Sequence, residues 1–190
     1  MDWGKLESTD SRKATDMKIP FSMTATVLVC TLAQAALAGE ANVRTPSPVI
    51  HLKDNLDEAD GLGWCIDTVG RGYAETLHAH SCKSQGGDVQ FAYDPETGAI
   101  QSVAFSEKCI AVLPEGSSTD FGLRNCDSAD PAQQFSFDPA SGAVAPGGAP
   151  SQCMAVGESS RRAGPFMSRD LVLDACGATE PARRTWVIRD

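Results

Sequence analysis

Six of the seven cysteines in this 190-residue chain are regularly spaced, which points to disulfide chemistry. The first cysteines of three repeats lie 44 residues apart, at Cys65, Cys109 and Cys153. The second cysteines follow them by 17, 17 and 23 residues, at Cys82, Cys126 and Cys176. An even number of cysteines at repeated spacings is typical of a disulfide-stapled domain in an oxidising compartment.

Pairing within each repeat is the most economical arrangement of these cysteines. The two cysteines of a repeat flank its first two predicted strands, which gives Cys65–Cys82, Cys109–Cys126 and Cys153–Cys176. Closing a loop of this size stabilises a fold by roughly 3 kcal/mol in the chain-entropy estimate. Three such bridges contribute substantially to the stability of this chain, because only 6 % of its residues are aromatic and can add large side chains to a core.

Two histidines form the second group that could do chemistry. In His78-Ala79-His80 a strand would place both imidazoles on one face. A metal would need further ligands, of which Asp67 or Asp88 could supply one, and two histidines alone indicate a metal only weakly. We therefore predict no metal site and no cofactor, and a surface pair of histidines is an alternative.

Catalytic motifs are missing from the sequence. The chain has three histidines and lacks the G-x-S-x-G, H-E-x-x-H and phosphate-loop patterns. The six periodic cysteines are assigned to disulfides, so none of them is a candidate nucleophile. We predict that the protein is not an enzyme.

The composition indicates one globular domain and limits the partners. Hydrophobic residues make up 42 % and charged residues 22 % of the chain, as in ordinary foldable proteins. The net charge is −9. Nucleic acid and anionic membranes are bound mainly through clustered Lys and Arg, so neither is a predicted partner.

Short strands must position these residues, because the repeats lack the helical spacing of apolar side chains. Apolar segments of strand length alternate with turn residues, so the chain is predicted to be all-β. The element D-P-x-[ST]-G recurs at Asp94 and Asp138 and suits a type I turn closed by a left-handed glycine. An aromatic recurs in every repeat, at Phe91, Phe135 and Trp186, and we assign all three to a shared core.

The third repeat lacks a final strand that the first two contain. Repeats one and two continue after the aromatic into apolar segments at 99–101 and 143–144. The apolar segment Val49–Leu52, ahead of the first cysteine, occupies the missing position if the ends of the chain meet. We predict that it pairs antiparallel with residues 185–188, since an open edge would leave backbone groups unpaired.

The repeats resemble the ricin-B lectin family. The resemblance is carried by C-[IM]-x-[VT] at the first cysteine, an apolar residue three before the second cysteine, and Q-x-[FW], seen as Gln133-Gln134-Phe135. It covers about residues 49–190. It implies a β-trefoil of twelve strands with threefold pseudosymmetry and up to three shallow sugar pockets.

The resemblance also implies which residues bind sugar. The family's pockets use an Asp two residues after the first cysteine, an aromatic two before the second, and an Asn three before the recurring aromatic. In repeat one these positions hold Asp67, His80 and Asp88, and His78 stands where the family often has Gln. We predict a carbohydrate site formed by Asp67, His78, His80 and Asp88. For Asp67, an ordinary surface carboxylate is the alternative.

The other two repeats lack this chemistry. Repeat two has Ala111, Arg124 and Ala132 at the corresponding positions, and repeat three has Ala155, Asp174 and Arg183. Neither set combines a carboxylate with a flat apolar face. The sequence thus predicts at most one working pocket, in repeat one.

The N-terminal residues have the pattern of a secretory signal peptide. Lys18 precedes a mostly apolar stretch at 23–37, and Ala36-Leu37-Ala38 supplies the small residues of a cleavage site. We predict an extension plus signal at 1–38 with cleavage after Ala38, a flexible leader at 39–48 and the folded domain at 49–190. The apolar stretch is shorter than the ~20 residues of a spanning helix, so no membrane insertion is predicted after cleavage. A signal anchor is the alternative if residues 1–16 are translated.

Two functions fit these observations. The first is a secreted or periplasmic lectin-like module that binds a glycan or polyol through repeat one. The alternative is a non-enzymatic structural or protein-binding β-trefoil subunit, with a protein partner or a larger assembly, whose lectin pockets have degenerated.

Overall fold

The computed structural model describes residues 39–70 and 72–190, and this part of the chain is built mainly from β-strands. The predicted signal peptide lies outside the described residues. The described part contains twelve strands: β1 (Val49–Leu52), β2 (Trp64–Thr68), β3 (Leu77–Ser81), β4 (Phe91–Tyr93), β5 (Ile100–Ser102), β6 (Lys108–Val112), β7 (Phe121–Asn125), β8 (Phe135–Asp138), β9 (Ala143–Pro146), β10 (Gln152–Ala163), β11 (Phe166–Ala175) and β12 (Trp186–Arg189). One helical turn, α1 (Pro181–Arg184), and two 3₁₀ turns, Gly87–Val89 and Pro131–Gln133, complete the described elements. The prediction of an all-β fold is confirmed.

The strands form three antiparallel groups. The largest is a six-stranded sheet in the order β10-β11-β3-β2-β1-β12. A four-stranded sheet follows the order β4-β5-β6-β7, and β8 pairs with β9 alone. Strands from the first and third repeats thus share one sheet, which later determines how the candidate site is built.

The three predicted disulfides are present. Cys65–Cys82, Cys109–Cys126 and Cys153–Cys176 have Cα–Cα distances of 5.0, 4.9 and 5.0 Å, within the range for a bridged pair. Each bridge closes its own repeat, and no bridge joins one repeat to another among the described residues. The predicted connectivity is confirmed.

The recurring aromatics lie in the core, as predicted. Phe91, Phe135 and Trp186 are exposed by 0, 3 and 1 %. They pack with apolar side chains from all three sheet groups in a single buried cluster. Burial of such side chains is the main favourable contribution to folding here.

Strand β1 closes the fold by pairing with β12. The antiparallel register runs from Val49 opposite Arg189 to Leu52 opposite Trp186. The second edge of β1 contacts β2, where His51 lies opposite Cys65. The predicted pairing of Val49–Leu52 with the 185–188 segment is confirmed.

The two D-P-x-[ST]-G turns join β4 to β5 and β8 to β9, and each contacts the next repeat. Gly98 and Gly142 have φ values of 75° and 70°, the left-handed conformation expected from the sequence. The carbonyl of Gly98 accepts a hydrogen bond from the Phe135 amide at 2.8 Å, and that of Gly142 accepts one from the Trp186 amide at 2.8 Å. Each turn therefore holds the backbone of the aromatic residue in the next repeat.

Residues 39–48, the predicted leader, precede β1 and contact the folded domain. The Asn42 amide donates to the Gly61 carbonyl at 2.7 Å. Thr45 is 4 % exposed and its hydroxyl donates to the Lys83 carbonyl at 2.7 Å. This segment therefore lies beside the loop that carries Lys83. Across the described ranges, no helix has the length and apolar character needed to cross a membrane.

Candidate functional site

The four residues predicted to bind sugar lie together around β2 and β3. Asp67 on β2 is the cross-strand partner of His78 on β3, and Cys65 is the partner of His80. Since side chains alternate along a strand, both histidines lie on the same face as Asp67. Asp88 belongs to the 3₁₀ turn that follows β3. The structure thus brings all four residues into one group.

Lys83 lies at the centre of this group, although the sequence did not single it out. Its Nζ donates to Asp67 Oδ2 at 2.9 Å and to Asp88 Oδ2 at 3.4 Å. The side chain of Asp67 is 1 % exposed. Because its carboxylate is buried and ion-paired, Asp67 does not present a free acceptor to solvent.

The carboxylates of this group are held in an unusual electrostatic environment. Burial raises the pKa of Asp67 to about 6, and the attraction of Lys83 opposes that rise without cancelling it. His80 Nδ1 lies 3.5 Å from the same Oδ2 atom. The other oxygen of Asp67 and Oδ1 of Asp88 are buried and have no hydrogen-bond partner among the described residues.

Burial disfavours the charged form of both histidines. Burial lowers the pKa of His78 to about 4, assisted by the charges of His80, Arg161 and Lys83. Burial likewise lowers the pKa of His80, whose Nδ1 lies 3.2 Å from the Ser81 carbonyl oxygen. Nε2 of His78 is buried without a hydrogen-bond partner in the described part of the chain. In residues 39–70 and 72–190, no three His, Cys, Asp or Glu side chains are grouped so as to hold a metal ion.

The hairpin of β10 and β11 adds a third element to the site. The first half of β11 pairs antiparallel with β3, so that Ser168 lies opposite His80 and Asp170 lies opposite His78. The bridged cysteines of repeat three are 23 residues apart, against 17 in the other repeats. The additional residues lengthen this hairpin until it lies against repeat one.

Arg169 fixes the hairpin in place. Its side chain is 5 % exposed, and one guanidinium nitrogen donates to the carbonyls of Gly157 and Glu158 at 2.6 and 2.9 Å. A second nitrogen donates to Asp57 Oδ1 at 2.5 Å. The guanidinium also lies 5.0 Å from the centroid of the Trp64 ring. Such a buried, multiply bonded arginine holds the hairpin firmly against repeat one.

A cavity of about 490 Å³ opens between repeat one and the hairpin. From repeat one it is lined by His78, His80 and Lys83, among others. From the hairpin it is lined by residues 161–166 and by Ser168. The ring of Phe166 packs edge-on against His80, with centroids 5.5 Å apart. The hairpin therefore supplies an aromatic side chain beside the imidazole that occupies the family's stacking position.

A second cavity, of about 590 Å³, shares Lys83 and Phe166 with the first. Asp88 and Arg44 line this second cavity, whereas Asp67 lines neither of the two. The four predicted site residues thus differ in which cavity they border. The histidines border one cavity and Asp88 borders the other, while Asp67 lies buried next to Lys83.

The equivalent positions in repeat two also converge on a cavity. Ala111, Arg124 and Ala132 together line an open space of about 650 Å³. In repeat three, Ala155 is fully buried, and Arg183 lies 3.9 Å from Asp174. Repeat two therefore keeps the position of a pocket without the carboxylate and flat ring at the family's positions.

The fold and its disulfides define a β-trefoil of the lectin type. The model of the ricin-type beta-trefoil lectin domain matches residues 56–187, and the chain belongs to that family. Carbohydrate binding is the activity of this family as a class. A comparison with curated protein sequences gives no match.

Solved structures share the fold at low sequence identity. One is a non-toxic homologue of type II RIPs from bitter gourd (Momordica charantia), in complex with alpha-methyl-D-galactoside, at 16 % identity and a TM-score of 0.54. The match covers 75 % of this chain and 47 % of that one. The agglutinin from Abrus precatorius matches at 15 % identity and a TM-score of 0.51, covering 78 % and 48 %.

A bacterial structure matches over most of its own chain. The cytolethal distending toxin of Actinobacillus actinomycetemcomitans has 18 % identity and a TM-score of 0.54, covering 75 % of this chain and 91 % of that chain. The present chain spans about half the length of the two plant chains. At these identities the likeness establishes the fold alone.

Sequence reasoning missed three contributors to the site, namely Lys83, Arg161 and Phe166. Lys83 directly follows the second cysteine of repeat one, and its position gave no sign of an ion pair with Asp67. The other two come from the third repeat. The longer cysteine interval of that repeat was the available signal, since added residues between two paired strands must lengthen the hairpin.

Proposed function

We propose that the protein is a non-enzymatic carbohydrate-binding module that takes a sugar or polyol in the cavity between repeat one and the β10–β11 hairpin. The observation that carries this proposal is the convergence of Asp67, His78, His80 and Asp88 around Lys83, beside Phe166. Buried polar atoms and one aromatic edge at a preformed cavity are the usual components of a sugar site.

Each component has a distinct role in this proposal. Phe166 and the neutral ring of His80 offer apolar surface to a sugar face. Lys83 and Ser168 line the cavity, and their ammonium and hydroxyl groups are donors to sugar oxygens. Asp67 acts through Lys83, which it orients, and Asp88 contributes from the neighbouring cavity.

We further propose that the protein works outside the cytoplasm, secreted or in a periplasm. The three disulfides indicate an oxidising compartment. The pattern at 17–38 supports export through a signal peptide.

The alternative function is a structural or protein-binding subunit. The burial of Asp67 favours this alternative, because a carboxylate that is 1 % exposed cannot contact a sugar directly. Repeats two and three also lack the predicted sugar chemistry. A glycan screen separates the two proposals.

The test is a glycan array followed by calorimetry on the full protein and on Phe166→Ala. Removing a stacking aromatic should weaken binding about tenfold, since aromatic contacts contribute on the order of 0.5–1.5 kcal/mol beyond their buried area. Arg124→Ala, at the corresponding cavity of repeat two, is the matched control and should leave binding unchanged. Equal loss in both variants, or no glycan bound by the unmodified protein, would favour the subunit function.

A further inference from the structure

The lining of the cavity between repeat one and the hairpin is unusually rich in cationic side chains. Lys83, Arg161 and Arg162 all contribute to it, with His78 and His80, and no Asp or Glu is among its lining residues. The chain as a whole has 25 acidic and 16 basic residues. The cavity lining thus has three cationic side chains and no carboxylate, whereas the chain as a whole has more acidic than basic residues.

The cations differ in how far their charge is already compensated. Lys83 is paired with Asp67 and Asp88, and Arg161 is paired with Asp170 at 2.7 Å. Arg162 is exposed and has no carboxylate within 4.0 Å among the described residues. Arg162 therefore contributes to the lining a charge that no neighbouring acid compensates, whereas Arg161, opposite Ser168 in the register, shares its charge with Asp170.

His78 lies among the same charges. Burial lowers its pKa, the charges of Arg161 and Lys83 lower it further, and the charge of Asp170 opposes them. His78 is 7 % exposed and its Nε2 has no hydrogen-bond partner in the described part of the chain. A neutral imidazole nitrogen in such a place is suited to an oxygen-rich ligand.

We propose that the preferred ligand is a sugar carrying a negative charge, either a carboxylate or a sulfate ester, with Arg162 as its main ion partner and Arg161 as an additional donor. This inference rests on the proposed function and specifies its ligand class. Planar guanidinium groups bind carboxylate and sulfate oxygens through paired hydrogen bonds. Phe166, in the same lining, would contact the ring that carries the charged group.

The test compares matched sugars by calorimetry on the full protein. The probes are galactose, galacturonate and galactose 6-sulfate, and the corresponding glucose series, with acetate and inorganic sulfate as free anions. A charge-assisted hydrogen bond should make at least one acidic sugar bind about tenfold or more tightly than its neutral parent. The carboxylate and sulfate probes distinguish the two sources of charge. The preference should weaken at high salt.

Arg162→Gln should remove most of this preference. Arg124→Gln is the matched control, since it removes the same charge from an exposed strand arginine in repeat two, and it should leave the preference unchanged. If neutral sugars bind as tightly as acidic ones and Phe166→Ala weakens the binding of both about tenfold, the charge preference is wrong and the proposed function stands. If no sugar binds, both are wrong. If acetate or sulfate binds as tightly as the acidic sugars, or if Arg124→Gln acts like Arg162→Gln, a specific acidic-sugar site is contradicted.

Discussion

A carboxylate buried against an ammonium group, as Asp67 is against Lys83, makes opposing contributions to stability. Desolvation disfavours its charged form, whereas the ion pair favours it. Burial dominates, because the pKa of Asp67 rises to about 6 from an ordinary value of 3.8. The folded state therefore binds a proton at Asp67 more tightly than the unfolded chain does.

This shift predicts an unusual pH dependence of stability. The contribution of a group with a raised pKa is fully present below its unfolded value and is lost as pH rises through its folded value. For Asp67 the window runs from pH 3.8 to about 6. Relative to Asp67→Asn, which cannot titrate, the unmodified protein should gain about 2 kcal/mol on going from pH 7 to pH 4. Chemical unfolding at several pH values measures this difference.

Two comparisons separate the contribution of Asp67 from those of other titrating groups. The lowered pKa of His78 contributes stability that is present above pH 6.5 and lost as pH falls towards 4, and it acts in both proteins. Asp94→Asn is the control with the opposite sign, because hydrogen bonds from Thr97 and Glu96 lower the pKa of Asp94. A stability difference for Asp67→Asn that does not change between pH 4 and pH 7 would contradict the raised pKa.

At the scale of elements, the D-P-x-[ST]-G turns of repeats one and two have a packing role as well as a conformational one. A Cβ on Gly98 would lie 2.6 Å from the Phe135 carbonyl oxygen, which is too close for backbone that cannot move freely. Gly116 has a similar positive φ of 85°, but a Cβ there would meet nothing within 4 Å. Substitutions at these two glycines therefore separate the cost of a left-handed backbone from the cost of a steric clash.

We expect Gly98→Ala to destabilise the protein more than Gly116→Ala. A left-handed alanine alone costs roughly 1–2 kcal/mol, and only Gly98→Ala adds the clash with the next repeat. Thermal or urea unfolding of both variants measures the difference. Equal destabilisation would show that the contact between the Gly98 turn and Phe135 is easily relieved.

Sequence patterns predicted the features that follow from the repeat better than a contact that departs from it. The left-handed glycines and the disulfides follow from short spacings, and the pairing of Val49–Leu52 with β12 follows from the need to cover an open edge. The pairing of β11 with β3 does not follow from any local rule. It depends on a buried Arg169 that bonds Asp57, more than 100 residues away in the chain. For the same reason, the sequence indicated four site residues on repeat one but gave no sign of Phe166 or Arg162.

At the scale of the whole molecule, the predicted signal cleavage determines which residues belong to the mature protein. Cleavage after Ala38 would give a protein that begins Gly39-Glu40-Ala41 and contains six cysteines. N-terminal sequencing of the exported protein measures the cleavage site, and Ala38→Leu should prevent or displace cleavage. A mature protein that retains Cys30 would contradict this prediction.

The pairing of β1 with β12 has a consequence for the order in which the chain becomes structured. Strand β1 shares four register positions with β12 and one with β2, so most of its partners are made at the far end of the domain. During synthesis, β1 is the first of the described strands to emerge, and it stays incompletely paired until residues 186–189 follow. The apolar side chains of Val49, Ile50 and Leu52, all fully buried in the finished fold, are exposed during that interval. A chaperone that binds extended apolar segments would therefore find its best target on the nascent protein at residues 49–52, and would release it when the last strand arrives.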